Sequence, residues 1–503
     1  MKHERKKLSW HEPAESILDI KRRSFLGRTA GLCGMAFMAQ MGAPSKTLAA
    51  GSTKIDFSRS ASSPLAPLAA QFTPRARRVI FLHMAGAPSQ LELFDYKPEL
   101  IKYDGKDTPA SFMEGKTFAF LSGIPKLLGS RFPFKQHGEC GAYISDRLPN
   151  IAQHVDDICF IKSLYTDQFN HAPAQLKMHT GNAQLGHASF GSWATYGLGS
   201  ENQNLPGYIV LTSGGPNPSA GKALWGPGYL PSVYQGVQCR SEGEPVLFLD
   251  NPKAVNKQSR RNVLDALNSL NELSYERYAD PETVTRIAQY EMAFRMQTEA
   301  TEAFDLADES EIVRDRYGVR EGEGGFANNC LLARRLAERG VRFIQLFDWG
   351  WDSHGDTDKT SLDIGFANKC REIDQPIGAL LSDLKASGLL EDTLVVFASE
   401  FGRTPMQETG KGGEEWLGVG RDHNPAGYTV WMAGGGVKGG YTHGATDELG
   451  YEAAEMPVSV HDFHATLLYL LGFEHSTLNY PFQGLEQRLT GVHHCAVVPE
   501  VLA

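Results

Sequence analysis

Along residues 371–387, apolar side chains recur as Ile373, Ile377, Leu380, Leu381 and Leu384, the spacing of one face of a helix. Gly388 follows where a left-handed cap is wanted, so the helix ends there. The next run, 393–398, is apolar without alternation and rich in β-branched residues, which suits a parallel strand buried on both faces. That strand delivers Glu400 to the carboxyl edge of a sheet, where open α/β folds place their ligands. The same rhythm predicts strands at 79–82, ending in His83, and at 158–161, 205–212, 341–347 and 428–433. A helix over 328–338, closed by Gly340, precedes the 341–347 strand. Helices alternating with doubly buried strands predict an α/β fold with a mostly parallel sheet.

Other stretches break the rhythm. Residues 105–148 read as a loop-rich insertion, and 214–234, with Pro, Gly and Trp, as a long ordered loop able to wall a cleft. From about 258 to 320 the pattern is helical and charged with no buried-strand signal, which predicts a helical insertion that covers the site or mediates contacts. Ser, Ala and Pro repeated over 51–74 predict a flexible leader, and 491–503 read as a tail outside the 75–490 domain.

The chain has 503 residues and is 41% hydrophobic, enough for a large core. Its formal charge of −10 argues against nucleic acid as a partner, because phosphate neutralisation needs a basic face. The first fifty residues stand apart. Arg22-Arg23 within Lys-Arg-Arg-Ser-Phe-Leu, followed by a mildly apolar run, reads as a twin-arginine signal peptide. It predicts transit through the twin-arginine translocase to a periplasmic or secreted location. Of seven cysteines, the six after the signal show no CxxC spacing, so disulfides and free thiols both stay open.

Polar groups suited to metal or anion chemistry gather at the predicted strand ends. His83 closes the first strand, and Ser89 lies in the turn beyond it, a candidate substrate contact. Asp352 and His354 follow the 341–347 strand with one residue between them, a spacing that lets both face one metal in an extended segment. Glu400 is a further candidate ligand, and Arg403 and Arg421 are candidate oxyanion clamps. Asp422, beside Arg421, is a second candidate substrate contact.

The segments Ser-Glu-Phe-Gly-Arg-Thr-Pro (399–405), Gly-Arg-Asp-His-Asn-Pro (420–425) and Gly-Trp-Asp-Ser-His (350–354) resemble those of the DUF1501 family of exported bacterial proteins. The helix, turn and 393–398 strand with its acid are also similar to the alkaline phosphatase/sulfatase superfamily, of which that family looks like a divergent branch. The resemblance implies an alkaline phosphatase-like three-layer α/β/α sandwich with a mostly parallel central sheet. It implies a metal-dependent hydrolase acting on phosphate or sulfate esters, small-molecule or polysaccharide, with zinc, calcium or manganese as cofactor. It makes His423 a metal ligand and puts His83 where an Asp ligand stands. Counting back ten residues from Gly181 sets His171 in the nucleophile's place, at a helix amino-terminus. A histidine there could attack phosphorus, bind metal, cap the helix, or mark the loss of covalent catalysis. With no Cys or Ser at that place, no formylglycine forms. Phe401 stands where a second-metal His is expected, so one metal is favoured over two. The competing expectation is a non-catalytic binding or assembly protein that retains the fold.

Overall fold

Strands that are apolar on both sides need cover on both faces of their sheet, and this chain supplies it. The computed structural model describes residues 64–503, apart from 117, 119, 122, 216, 217, 242, 247–250, 252–254, 279, 321, 322, 411–415 and 417. The twin-arginine segment and the leader up to residue 63 lie outside the described residues.

The central sheet contains β1 (Arg78–Ala85), β2 (Ile158–Tyr165), β3 (Tyr208–Ser213), β4 (Val237–Cys239), β5 (Phe343–Trp349), β6 (Thr393–Ala398), β7 (Tyr428–Ala433), β8 (Tyr441–His443) and β9 (Val458–Ser459). Its order is β8-β2-β7-β6-β1-β5-β3-β4, with β9 pairing on β2. Only β7 runs antiparallel to its neighbours, β2 and β6. The start of β7 therefore lies at the same edge as the carboxyl ends of the others, which brings residues 421–424 to that edge.

Successive residues of β1 serve opposite faces. Ile80 and Leu82 pack with Leu331 and Leu336 of helix Phe326–Glu338, and with Ile377 and Leu380 of helix Ala367–Ala386. Val79 and Phe81 pack on the other face with Leu176, Met178, Trp193 and Leu467, carried by helices His171–Thr180, Phe190–Leu198 and Val460–Leu470. The result is the three-layer α/β/α sandwich with a mostly parallel sheet. Gly388 has φ 74°, the left-handed geometry expected after the central helix.

The helical insertion consists chiefly of Lys257–Tyr278 and Pro281–Phe304. It is tied to helix Phe326–Glu338 by Arg335 Nε donating to Ala303 O at 3.0 Å, and to the 232–234 turn by Ser232 donating to Glu282 at 3.0 Å. No helix among the described residues is long and apolar enough to cross a membrane.

Several expectations need correction. The chain is bound to the domain before residue 75: Leu68 N donates to Leu198 O and Gln71 N to Gly472 O, both at 3.0 Å. The terminal segment is bound as well, with Val501 buried and Lys438 N donating to Val501 O at 2.8 Å. The first strand continues two residues past His83, to Ala85. Ser459 caps the last long helix, and Asp462 completes a capping box with it. All six cysteines among the described residues are free thiols.

Candidate metal centre

Four of the sequence-predicted residues meet at the carboxyl edge of the sheet. One ligand atom from each of His171, Asp352, His354 and His423 lies within 4.8 Å of the others. His171 begins its helix, Asp352 and His354 follow β5, and His423 precedes β7. A two-residue ladder sets His423 opposite Arg403 and Asn424 opposite Gly402. Gly86 lets the turn after β1 approach: its φ is 110°, and a Cβ there would lie 2.6 Å from Asp352 N.

The three imidazoles are arranged alike. His354 Nδ1 lies 2.6 Å from Glu408 Oε2, His171 Nδ1 2.8 Å from Glu400 Oε1, and His423 Nδ1 2.7 Å from Phe169 O. Each Nε2 then faces Asp352 Oδ1, at 2.9 Å from His354, 3.2 Å from His171 and 3.4 Å from His423. A second partner fixing one ring nitrogen while the other points at a shared locus is the outer-shell pattern of metal-binding histidines.

The ring of His423 decides what belongs there. Burial holds its pKa down to about 4, against the pull of Asp352, so the ring is neutral at pH 7. Both ring nitrogens face pure acceptors, but Nδ1 is the closer, 2.7 Å from Phe169 O against 3.4 Å from Nε2 to Asp352 Oδ1, so the one proton of the neutral ring is placed on Nδ1 and Nε2 presents a lone pair. That lone pair faces a carboxylate oxygen. Two acceptors opposed in a partly dry site repel unless a cation lies between them. Burial works against ionisation of Asp352, yet Arg403 and the imidazoles hold its carboxyl far below the usual range. Three imidazoles and one carboxylate suit zinc or manganese. Calcium, by contrast, takes oxygen ligands.

The remaining predicted residues take other positions. Glu400 and His83 are fully buried one layer behind, with Nε2 of His83 3.2 Å from Glu400 Oε2. Glu400 Oε1 accepts from Gly86 N and Gln175 Nε2, both at 2.9 Å, besides meeting His171. Burial opposes its charge, but His171 and His83 keep its carboxyl well below the ordinary value. The pair therefore orients His171 and stands outside the four-residue cluster. Nδ1 of His171 is taken by Glu400, while its Nε2 has no hydrogen-bond partner and points into the four-residue cluster, as an ion ligand would.

The two arginines are not free clamps. Arg421 is buried against Glu92, Nη2 to Oε1 at 2.7 Å, and donates to the carbonyls of Leu128, Thr404 and Gly129. Arg403 donates to the carbonyls of Ala87, Arg421 and Gly86 and meets Asp352 Oδ1 at 2.5 Å. It holds a ligand in place. Ser89 is fully buried, beyond the reach of a substrate. Asp422 accepts from Phe120 N at 2.8 Å and Leu121 N at 3.2 Å, fastening that loop beside the cluster. Asp348 turns away to Lys369, Ser213 and Trp351. Phe401 packs against the rings of His171 and His423 at 4.9 and 4.6 Å, filling the space where the superfamily resemblance calls for another imidazole.

Sequence reading missed Glu408, Gln175, the Phe169 carbonyl and Phe120. Glu408 lies in a glycine-rich stretch without periodicity, and a backbone carbonyl leaves no sequence signal.

Comparison with solved structures finds a sulfatase from Pseudoalteromonas sp. at 14% identity, covering 79% of this chain and 68% of that one, with a TM-score of 0.34. An alkaline phosphatase from the Antarctic bacterium TAB5 is 13% identical, covers 72% of this chain and 92% of its own, and scores 0.29. A protein in the alkaline phosphatase superfamily from Vibrio parahaemolyticus is 11% identical over 85% of this chain and 74% of its own, and scores 0.34. No curated protein matches. The family model described as "Protein of unknown function (DUF1501)" matches residues 76–502, and the chain belongs to that family.

Proposed function

We propose that the protein is an exported, metal-dependent hydrolase of phosphate or sulfate esters with a single-ion centre. The observation that carries the reading is the opposition of the His423 Nε2 lone pair and the Asp352 carboxylate, a gap that a divalent cation fills. His171, His354, His423 and Asp352 would hold the ion. When bound, it would supply Lewis acidity and lower the pKa of a water.

The chain's own groups prepare that site. Glu400, Glu408 and the Phe169 carbonyl hold the three Nδ1 protons and so direct each Nε2 inward. Arg403 steadies Asp352. Because Nδ1 of His171 meets Glu400 and its Nε2 would be taken up by the ion, the reading is direct attack by water rather than a phosphohistidine. The Arg22-Arg23 motif supports export by the twin-arginine route.

One observation favours the second reading, a non-catalytic binding protein: Arg403 and Arg421 are both spent on internal partners, which leaves neither as an oxyanion clamp. Elemental analysis of purified protein, with turnover of an aryl phosphate, a phosphodiester and an aryl sulfate before and after EDTA, separates the two. Metal-dependent release from one substrate supports the hydrolase. Metal-replete protein inert on all three rejects it in favour of the binding protein.

A further inference from the structure

The metal centre is polar, yet aromatic rings surround it. Phe120 is 58% exposed, with its ring edge-on to His423 at 5.4 Å and to His354 at 5.7 Å. Phe169, whose carbonyl receives His423, is 54% exposed. Trp349, half-buried, lies edge-on to His171 at 6.2 Å. Exposed phenyl rings carry a hydration cost, and several together mark a binding surface.

The position of Phe120 is built. Asp422 accepts the backbone N–H of Phe120 and of Leu121, and the same carboxylate's Oδ1 accepts His423 N at 2.7 Å. One acid thus fixes both a ligand histidine and the ring above it. Phe118 and Leu121 anchor the loop in a small apolar cluster with Leu91 and Met406. Phe120 alone of this group turns outward.

Charge narrows the occupant. Lys177, on the helix that begins with His171, is paired with Asp167 at 2.7 Å, and Arg403 is spent on Asp352. A second anionic group on a substrate would find these cations occupied. An uncharged ring face stacks on aromatic side chains without such help.

We propose that Phe120, Phe169 and Trp349 form a ring-binding rim that selects esters whose alcohol half presents an uncharged ring face. The proposal rests on the hydrolase reading of the metal centre. The shared chemistry is the ring face, offered by an aryl group or by a pyranose.

The test is calorimetric binding to zinc-loaded full-length protein of methyl-, phenyl- and glucosyl-phosphonate, with the matching sulfonates. Phenyl or glucosyl compounds should bind about three- to tenfold more tightly per stacked ring than methyl compounds. Whichever ring is preferred identifies the source. Phe120→Ala should abolish most of the preference and Phe120→Tyr should keep it, with one zinc per chain in both. Equal affinity for methyl and ring compounds, or a preference indifferent to Phe120→Ala, overturns the rim while leaving the hydrolase reading standing. Absence of binding by every phosphonate and sulfonate overturns both.

Discussion

His423 Nε2 and Asp352 Oδ1 face each other at 3.4 Å, an unprotonated ring nitrogen against an ionised carboxylate. If a metal ion reconciles them, Asp352→Asn should weaken zinc binding on the order of 100-fold or more, beyond the roughly 10–100-fold typical of outer-shell changes. His83→Asn should still hold one ion per chain, because His83 meets Glu400, His179 and Phe347 behind the cluster and is not one of its four residues. Metal stoichiometry by elemental analysis and competition with a chelator measure both. Loss of the ion from His83→Asn but not Asp352→Asn would move the centre back to the end of β1.

Glu408 acts through His354. Its Oε2 lies 2.6 Å from Nδ1, and burial raises its own pKa despite that partner. Glu408→Gln keeps the volume but removes the charge that makes the imidazole a better donor to metal. Zinc affinity should fall about 10–100-fold. Thermal stability of the metal-free protein should change much less, and an unaltered chelator competition curve would remove Glu408 from the site.

The metal-free protein should be most stable near pH 6.5. Burial opposes protonation of His354, but Asp352 and Glu408 raise its folded pKa to about 9 from 6.5. Its contribution is therefore complete below 6.5 and is lost as pH rises through 9, roughly 3 kcal/mol in all. His423 works the other way. Its folded pKa near 4 lies below the unfolded value, so stability is lost as pH falls from 6.5 towards 4. Zinc competes with the His354 proton, so binding tightens with rising pH and the alkaline loss disappears in the loaded protein. Urea midpoints from pH 4 to 9.5, with and without zinc, read this directly. A flat metal-free profile above pH 6.5 would contradict the His354 geometry.

The fold is legible in the sequence because its strands are doubly buried and its helices one-sided, patterns that follow from the period of each element. Strand ends are legible only to within about four residues, since the run expected at 158–161 continues to Tyr165 and the one expected from 205 starts at Tyr208, and that margin matters at His83. The apolar run of β1 stops at Leu82 and so points to His83 as a rim residue, but the strand continues to Ala85 and buries it against Glu400. Asp352, His354 and His423 stand out because short polar motifs next to strands have few other uses. The fate of Arg421 is not legible, since its partner Glu92 is 329 positions away in sequence and only packing unites them. The carbonyl that orients His423 belongs to Phe169, a residue whose side chain says nothing of it.

Arg421 offers the sharpest separation of a structural cation from a catalytic one. Its side chain and that of Glu92 are both 0% exposed, and the guanidinium also serves three carbonyls. The Arg421→Leu substitution strands a buried carboxylate, which should cost about 3–5 kcal/mol in urea unfolding. Glu92→Leu alone should cost a comparable amount. The double variant should recover part of the loss by removing the lone charge, though the freed carbonyls keep it below wild type. An oxyanion clamp would behave differently, with near-normal stability and abolished turnover. If the Arg421→Leu variant unfolds like wild type, the ion pair with Glu92 is not what holds Arg421 in place.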